Sequence, residues 1–275
     1  MTGLANTKAL RKDIPDVATP GVRPANELPV AVDPRPPASD QAPLLAARDL
    51  WFSYDGRNYA VQGVDLTVRS GAMTMVLGRS GSGKTTLIKL LAGILQPQRG
   101  AIEASAANST ARQTAYIPQT LGLVKSMTAL ENTLAGALTR TNTLLSMLKL
   151  FPKQTVERAK ETLAGLGLAD KFDQKVQHLS GGQRQRVAIA RALMLEPNLI
   201  LADEFVSQLD PVTSEEILDM MREITKRGVG LLVTTHETDA VANYADHIVV
   251  MREGRVSFEA KGGEVTEVGM VDLLR

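Results

Sequence analysis

Gly78-Arg79-Ser80-Gly81-Ser82-Gly83-Lys84-Thr85 follows an apolar run, Ala72 to Leu77, and leads into a segment of helical character from about Gly83 to Leu95. The stretch fits G-x-x-x-x-G-K-[ST], the spacing of a phosphate-binding loop between a strand and a helix. A triphosphate is polyanionic and needs donors at close range. Glycines let the backbone turn tightly and bring its N–H groups to the phosphate oxygens. The helix that opens next presents the positive end of its dipole. Lys84 is placed to set a cation between the β- and γ-phosphates, and Thr85 to offer a hydroxyl to Mg²⁺. A glycine-rich turn without a ligand requires neither the strand before it nor the helix after it.

Working outward, Leu199-Ile200-Leu201-Ala202-Asp203-Glu204 is a second apolar run, ending in two carboxylates. Continuous apolar runs mark strands buried on both faces, and ligands of open α/β sheets sit beyond the carboxyl ends of such strands. That places Asp203 to hold Mg²⁺ and Glu204 to orient or deprotonate an attacking water, against the plain alternative of two solvated acids. His236 follows a third apolar run, Gly230 to Thr235, and is placed either to contact the γ-phosphate or simply to start the next helix. Strands are expected over 45–53 and 61–69, with a turn at Asp55-Gly56, and then over 72–77, up to Tyr116-Ile117, 198–202, 229–234 and 246–251. Residues 128–166 read as mostly helical, with a capping box at Thr128 and Glu131 and Pro152 suited to a first turn. Helices are also expected over 181–195, 211–226 and 237–244. This alternation implies a mainly parallel sheet wrapped by helices.

The chain has 275 residues, 44% apolar and 22% charged, with a net charge of +1, which gives no basic excess for nucleic acid. Its lack of cysteine excludes disulfides and thiolate metal sites, and three histidines do not suit a multi-histidine metal centre. The first thirty residues lack the apolar stretch of a secretory signal, and runs such as Leu144 to Phe151 fall far short of the roughly 20 residues of a spanning helix. Any membrane connection is expected through a partner. Residues 1–43 hold eight of the thirteen prolines and no aromatic residue, so they read as an extended or disordered tail. Residues 44–275 read as the globular part.

Leu179-Ser180-Gly181-Gly182-Gln183 resembles the signature sequence of ABC ATPases, about a hundred residues after the phosphate loop and twenty before Asp203, as in that family. The resemblance spans roughly Leu44 to Phe258. It implies an α/β P-loop NTPase of ABC type with an antiparallel β subdomain and a helical signature subdomain over about 120–195. It extends the phosphate contacts to Thr86. Gln119 matches the glutamine that links the metal site to the transmembrane partner. Ser207-Gln208-Leu209-Asp210 resembles a segment that crosses the dimer interface. Tyr54 sits where the family stacks an aromatic on adenine, with Tyr59 as a competitor. Ser180 and Gln183 also fit a capping box, and Tyr54 also fits a packed strand aromatic. Phe205 departs from the proline that usually follows the family's catalytic glutamate.

The resemblance further implies ATP and Mg²⁺ as ligands and a head-to-tail dimer with a second cassette. Ser180, Gly181, Gly182 and Gln183, with Asp210, would then face a nucleotide held by the other subunit. Transmembrane permease subunits, a solute-binding protein and a peripheral place on the inner membrane face follow from the same likeness. Asn132 to Leu138 and Leu150-Phe151-Pro152 are similar to phosphonate-type importers. A non-transport ATP-gated switch, or export, is the alternative that remains.

Overall fold

The computed structural model describes residues 43–104, 114–138, 151–207 and 209–274. The expected proline-rich tail apart from Pro43, most of the apolar run from Leu144, Leu150 and Gln208 lie outside the described residues.

Two sheets form the molecule. Strands β1 (Pro43–Ser53), β2 (Tyr59–Arg69) and β4 (Arg99–Ala104) pair antiparallel in the order β2-β1-β4. The larger sheet runs β5 (Thr114–Ile117), β6 (Leu199–Asp203), β7 (Gly230–Thr235), β3 (Met73–Leu77), β8 (His247–Arg252) and β9 (Arg255–Lys261). Its first five strands are parallel, and β9 returns antiparallel along β8. Every residue of β3, β6 and β7 is buried, which is why these strands read as unbroken apolar runs.

Side chains of a strand alternate between faces, and two cores result. Met73, Met75 and Leu77 join Ile117, Ile200, Ala202 and Val233 on one face, packed on α4 (Gly181–Leu193) and α5 (Pro211–Lys226). Val76, Leu199, Leu201, Leu232 and Val249 face the other way, onto α1 (Lys84–Leu91) and the antiparallel sheet. The expected capping box closes α2 (Ala129–Ala135): the Thr128 side chain accepts from Glu131 N, and the Glu131 carboxylate accepts from Thr128 N at 2.9 Å. Helix α3 (Lys153–Gly165) starts after Pro152, and α6 (Thr238–Tyr244) after Glu237.

Several boundaries differ from the sequence expectation. Pro43, assigned to the tail, already pairs with Arg69 in β1. Helix α1 stops at Leu91, four residues short of Leu95, because Gly93 turns left-handed at φ 70°. The helical run expected from 128 ends at Ala135 and resumes at Lys153 within the described residues. Strands β4 and β9 and helix α7 (Glu267–Leu273) were not foreseen.

The antiparallel sheet carries Trp51. Its Nε1 donates to Asp49 Oδ1 at 2.7 Å, its ring meets Tyr59 edge-on at 5.2 Å, and the Arg99 and Arg255 guanidinium groups lie 5.7 and 5.9 Å from its centre. No helix among the described residues is long and apolar enough to cross a membrane.

Candidate active site

The phosphate loop lies between the end of β3 and the start of α1, and Gly78 N donates to Thr235 O of β7 at 3.3 Å. Two of its glycines are fixed by space. A Cβ on Gly83, at φ 102°, would lie 2.3 Å from Ala60 O, and one on Gly78 would lie 2.6 Å from Met251 O. Helix α1 has no side-chain cap on its N-terminus and no acidic residue in its first turn. With no side chain to accept from them, its leading N–H groups are left for an anion. A cavity of ≈ 320 Å³ opens beside the loop, between Arg79–Ser82 and the β8–β9 turn at Arg252 and Glu253.

Lys84 is 4% exposed. Its ammonium donates to Gly78 O at 2.7 Å and Arg79 O at 3.2 Å, and pairs with Glu204 at 3.2 Å. Thr85 Oγ1 donates to Asp203 Oδ1 at 3.2 Å, and the same oxygen accepts from Thr234 Oγ1 at 2.7 Å. Gln119 Nε2, just beyond β5, donates to Glu204 Oε2 at 3.0 Å. Three strand ends therefore bring Lys84, Thr85, Asp203, Glu204 and Gln119 to one place. Tyr116, also in β5, has its phenol pushed up to about 12 by burial and by the Asp203 charge.

Glu204 occupies left-handed backbone at φ 41°, at a cost on the order of 1 kcal/mol for a residue with a Cβ. Its N–H donates to the Thr234 hydroxyl at 2.9 Å and to Thr234 O at 3.1 Å, which holds the turn. A proline at the next position would press Glu204 toward extended backbone. Phe205 permits the left-handed turn and buries its ring, 1% exposed, in the main core. Phe205→Ala should therefore destabilise the fold by about 3–5 kcal/mol through the cavity it leaves, readable as a shifted urea midpoint at unchanged slope.

Thr234 was not foreseen. Its signal was the first of two hydroxyls, Thr234 and Thr235, that close an apolar strand before His236, and the β6–β7 register sets it opposite Asp203. His236 itself is exposed at the end of β7, beside the Thr235 carbonyl that receives Gly78 N, and the helix after it starts at Thr238. Tyr54 is 64% exposed, edge-on to Phe52 at 4.9 Å, with its hydroxyl 3.3 Å from Thr86 Oγ1. It reaches the first turn of α1, whereas Tyr59 packs on Trp51.

The signature forms a second cluster. Ser180 caps α4: Gln183 N donates to its hydroxyl at 3.3 Å, and Ser180 N donates to Gln183 Oε1 at 3.0 Å. A Cβ on Gly182 would lie 2.5 Å from Thr213 Cγ2, and one on Gly181 3.2 Å from Leu209. Asp210 caps α5 by accepting from Thr213 N and Thr213 Oγ1, and these bonds hold its carboxyl below the usual range. The signature hydrogen bonds described here stay within α4, away from Lys84.

The donor set fits the expected ligands. An uncapped helix start with a buried lysine suits a polyphosphate, and the adjoining Thr85 hydroxyl and Asp203 carboxylate are the hard oxygen donors that suit Mg²⁺.

Comparison with known proteins agrees with this geometry. The ABC transporter family profile matches residues 61–207. The phosphonates import ATP-binding protein PhnC of Thiobacillus denitrificans is 39% identical over 215 residues, 75% of this chain and 83% of the relative. The phosphite import ATP-binding protein PxtA of Stutzerimonas stutzeri is 38% identical over 82% of this chain and 86% of its own length. A crystal structure of a nucleotide-free ATP-binding cassette from an ABC transporter superposes with a TM-score of 0.74 at 30% identity, covering 84% of this chain and 96% of that one. A dimeric bacterial ABC transporter cassette superposes at 0.69 and 28% identity, covering 79% of this chain and 98% of that one. A phosphate loop, a carboxylate-ended strand and a capped signature helix, matched over most of both chains, make this protein a member of the ABC transporter family and an ATPase subunit of that kind.

Proposed function

We propose that this chain hydrolyses Mg-ATP in a dimer of cassettes and so drives import of a phosphonate or related oxyanion by a separate membrane permease. The supporting observation for the chemistry is the single cluster that joins Lys84, Thr85, Asp203, Glu204 and Gln119. The support for the solute is the likeness to phosphonate and phosphite import subunits.

On this reading the loop amides of Gly78 to Lys84 and the start of α1 cradle the phosphates, with Arg79, Ser80, Gly81, Ser82 and Thr86 around them. Lys84 exchanges the Glu204 carboxylate for the β- and γ-phosphates. Thr85, Asp203 and Gln119 would hold Mg²⁺, which when bound supplies positive charge against the phosphate oxygens. Glu204, released from Lys84, orients the water and takes its proton. His236 lines the γ-phosphate side, and Tyr54 swings onto the adenine. Ser180, Gly181 and Gly182 close over the nucleotide of a second cassette, and Asp210 lies at that interface. Loss of the γ-phosphate removes the charge that bridges the two chains. The helical segment over about 120–195 receives the permease, which holds this chain at the inner membrane face, with a solute-binding protein on the other side.

The test is affinity purification of the tagged chain from its native membranes in detergent, followed by reconstitution in vesicles. The expected result is a co-purifying permease whose ATPase rises with a solute-binding protein loaded with methylphosphonate. Recovery with ribosomes or DNA and no membrane protein overturns the transport reading. Stimulation by an amino acid or a sugar in place of methylphosphonate overturns the solute class.

A further inference from the structure

Helix α4 carries two side chains that the scheme above does not use, and each grips backbone beside one of the two loops around the water position. Gln185 is 5% exposed, and its Nε2 donates to the carbonyl of Phe205, the residue after Glu204. Arg191 donates from Nη1 to Gly122 O and from Nη2 to Leu121 O, both at 2.6 Å. Those two carbonyls belong to left-handed residues, Leu121 at φ 61° and Gly122 at φ 60°. Leu121 N donates to Pro118 O at 2.7 Å, closing the turn that contains Gln119. Gln119 in turn donates to Glu204.

The contacts therefore form a ring: α4, Gln185, Phe205, Glu204, Gln119, its turn, Arg191, and α4 again. Gln185 and Arg191 stand six residues apart, roughly 9 Å along a helix at 1.5 Å per residue. A helix does not stretch over that distance, so displacement of α4 moves both loops together. The same helix begins at Ser180, which is exposed.

Two buried side-chain atoms near this clamp have no hydrogen-bond partner among the described residues: Gln185 Oε1 and Ser207 Oγ, two residues beyond Phe205.

We propose that Gln185 and Arg191 are positioning residues that make α4 a rigid strut within one cassette. What the signature contacts at one end of the strut sets how Glu204 and Gln119 are held at its side. The inference rests on the dimer reading above, in which Ser180 meets the other chain's nucleotide. Occupation of one site then aligns the catalytic groups of the other, and hydrolysis is cooperative through this route.

The test uses the full-length chain with Gln185→Leu, which removes the donor at similar volume, and Arg191→Lys, which keeps the cation but gathers its donors on one nitrogen. Turnover is counted per nucleotide site, with sites titrated by a fluorescent ATP analogue, and the Hill coefficient for ATP is measured alongside. Gln185→Leu should lower kcat about tenfold, the scale of one lost hydrogen bond to a positioned group, with the analogue's Kd within about twofold and the Hill coefficient falling toward unity. Arg191→Lys should lose about threefold with the same signature, since a compact ammonium does not reproduce the planar two-nitrogen fork that holds both carbonyls. Arg191→Lys carries the test alone if Gln185→Leu does not fold. Unchanged kcat per site and unchanged cooperativity overturn the proposal, as does a loss of kcat matched by an equal loss of affinity. Glu204→Gln is run in parallel. If it keeps turnover, the assigned chemistry fails; if it loses turnover while the clamp variants do not, only the strut fails.

Discussion

Replacing Glu204 by glutamine should lower ATP turnover by about 10²–10⁴-fold, the range expected for loss of a positioned proton acceptor. The substitution keeps shape and volume, so the left-handed turn held by Thr234 is retained. It removes the charge that pairs with Lys84 at 3.2 Å. A lysine relieved of its carboxylate is more available to the phosphates, so ATP affinity should hold or rise. With turnover blocked, the bridging charge persists, and size-exclusion chromatography in Mg-ATP should show a stable dimer. A Glu204→Gln chain that hydrolyses at the parent rate contradicts the role given to this residue.

The second large effect is expected at Lys84. Lys84→Ala removes the one ammonium aimed into the phosphate loop and should weaken ATP binding by about 10²–10³-fold, or about 3–4 kcal/mol, by isothermal calorimetry. Two effects add. The phosphates lose charge-assisted hydrogen bonds, and the Gly78 and Arg79 carbonyls lose the donor that shapes the loop without nucleotide. Lys84→Arg should not restore binding. A planar guanidinium is longer and cannot fit the space between two loop carbonyls and a carboxylate, where the side chain is 3% exposed. An affinity within a few-fold of the parent would move the phosphate site elsewhere.

Much of this site is legible in the sequence because its signals are local. The phosphate loop, the run ending at Asp203 and Glu204, and the capping boxes at Thr128 and Ser180 each lie within a few residues of chain, where backbone geometry follows directly from residue type. The elements that were not legible depend on partners distant in sequence. Strand β4, Arg-Gly-Ala-Ile-Glu-Ala, is mostly exposed, and only Ile102 packs onto the core. It is a strand because β1 offers it a ladder, with a left-handed Gly100 packed against the Asp49 backbone. Strand β9 alternates between half-buried and exposed positions, but a one-turn reversal at Gly254 hides it behind β8. Thr234, Gln185 and Arg191 act through contacts set by sheet register and helix packing, and residue type alone does not announce them. Phe205 was legible as a departure, and only the fold shows that its ring is buried and that Glu204 stands left-handed before it.

Trp51 is the chain's only tryptophan, and it is clamped between two guanidinium groups, a carboxylate and an aromatic edge on the small sheet. It stands on β1, three residues before Tyr54, whose hydroxyl lies 3.3 Å from Thr86 Oγ1 in the first turn of α1. Indole emission, selected by excitation beyond the tyrosine band, therefore has a single source on the small sheet, and its colour and quenching track movement of that sheet without any attached dye.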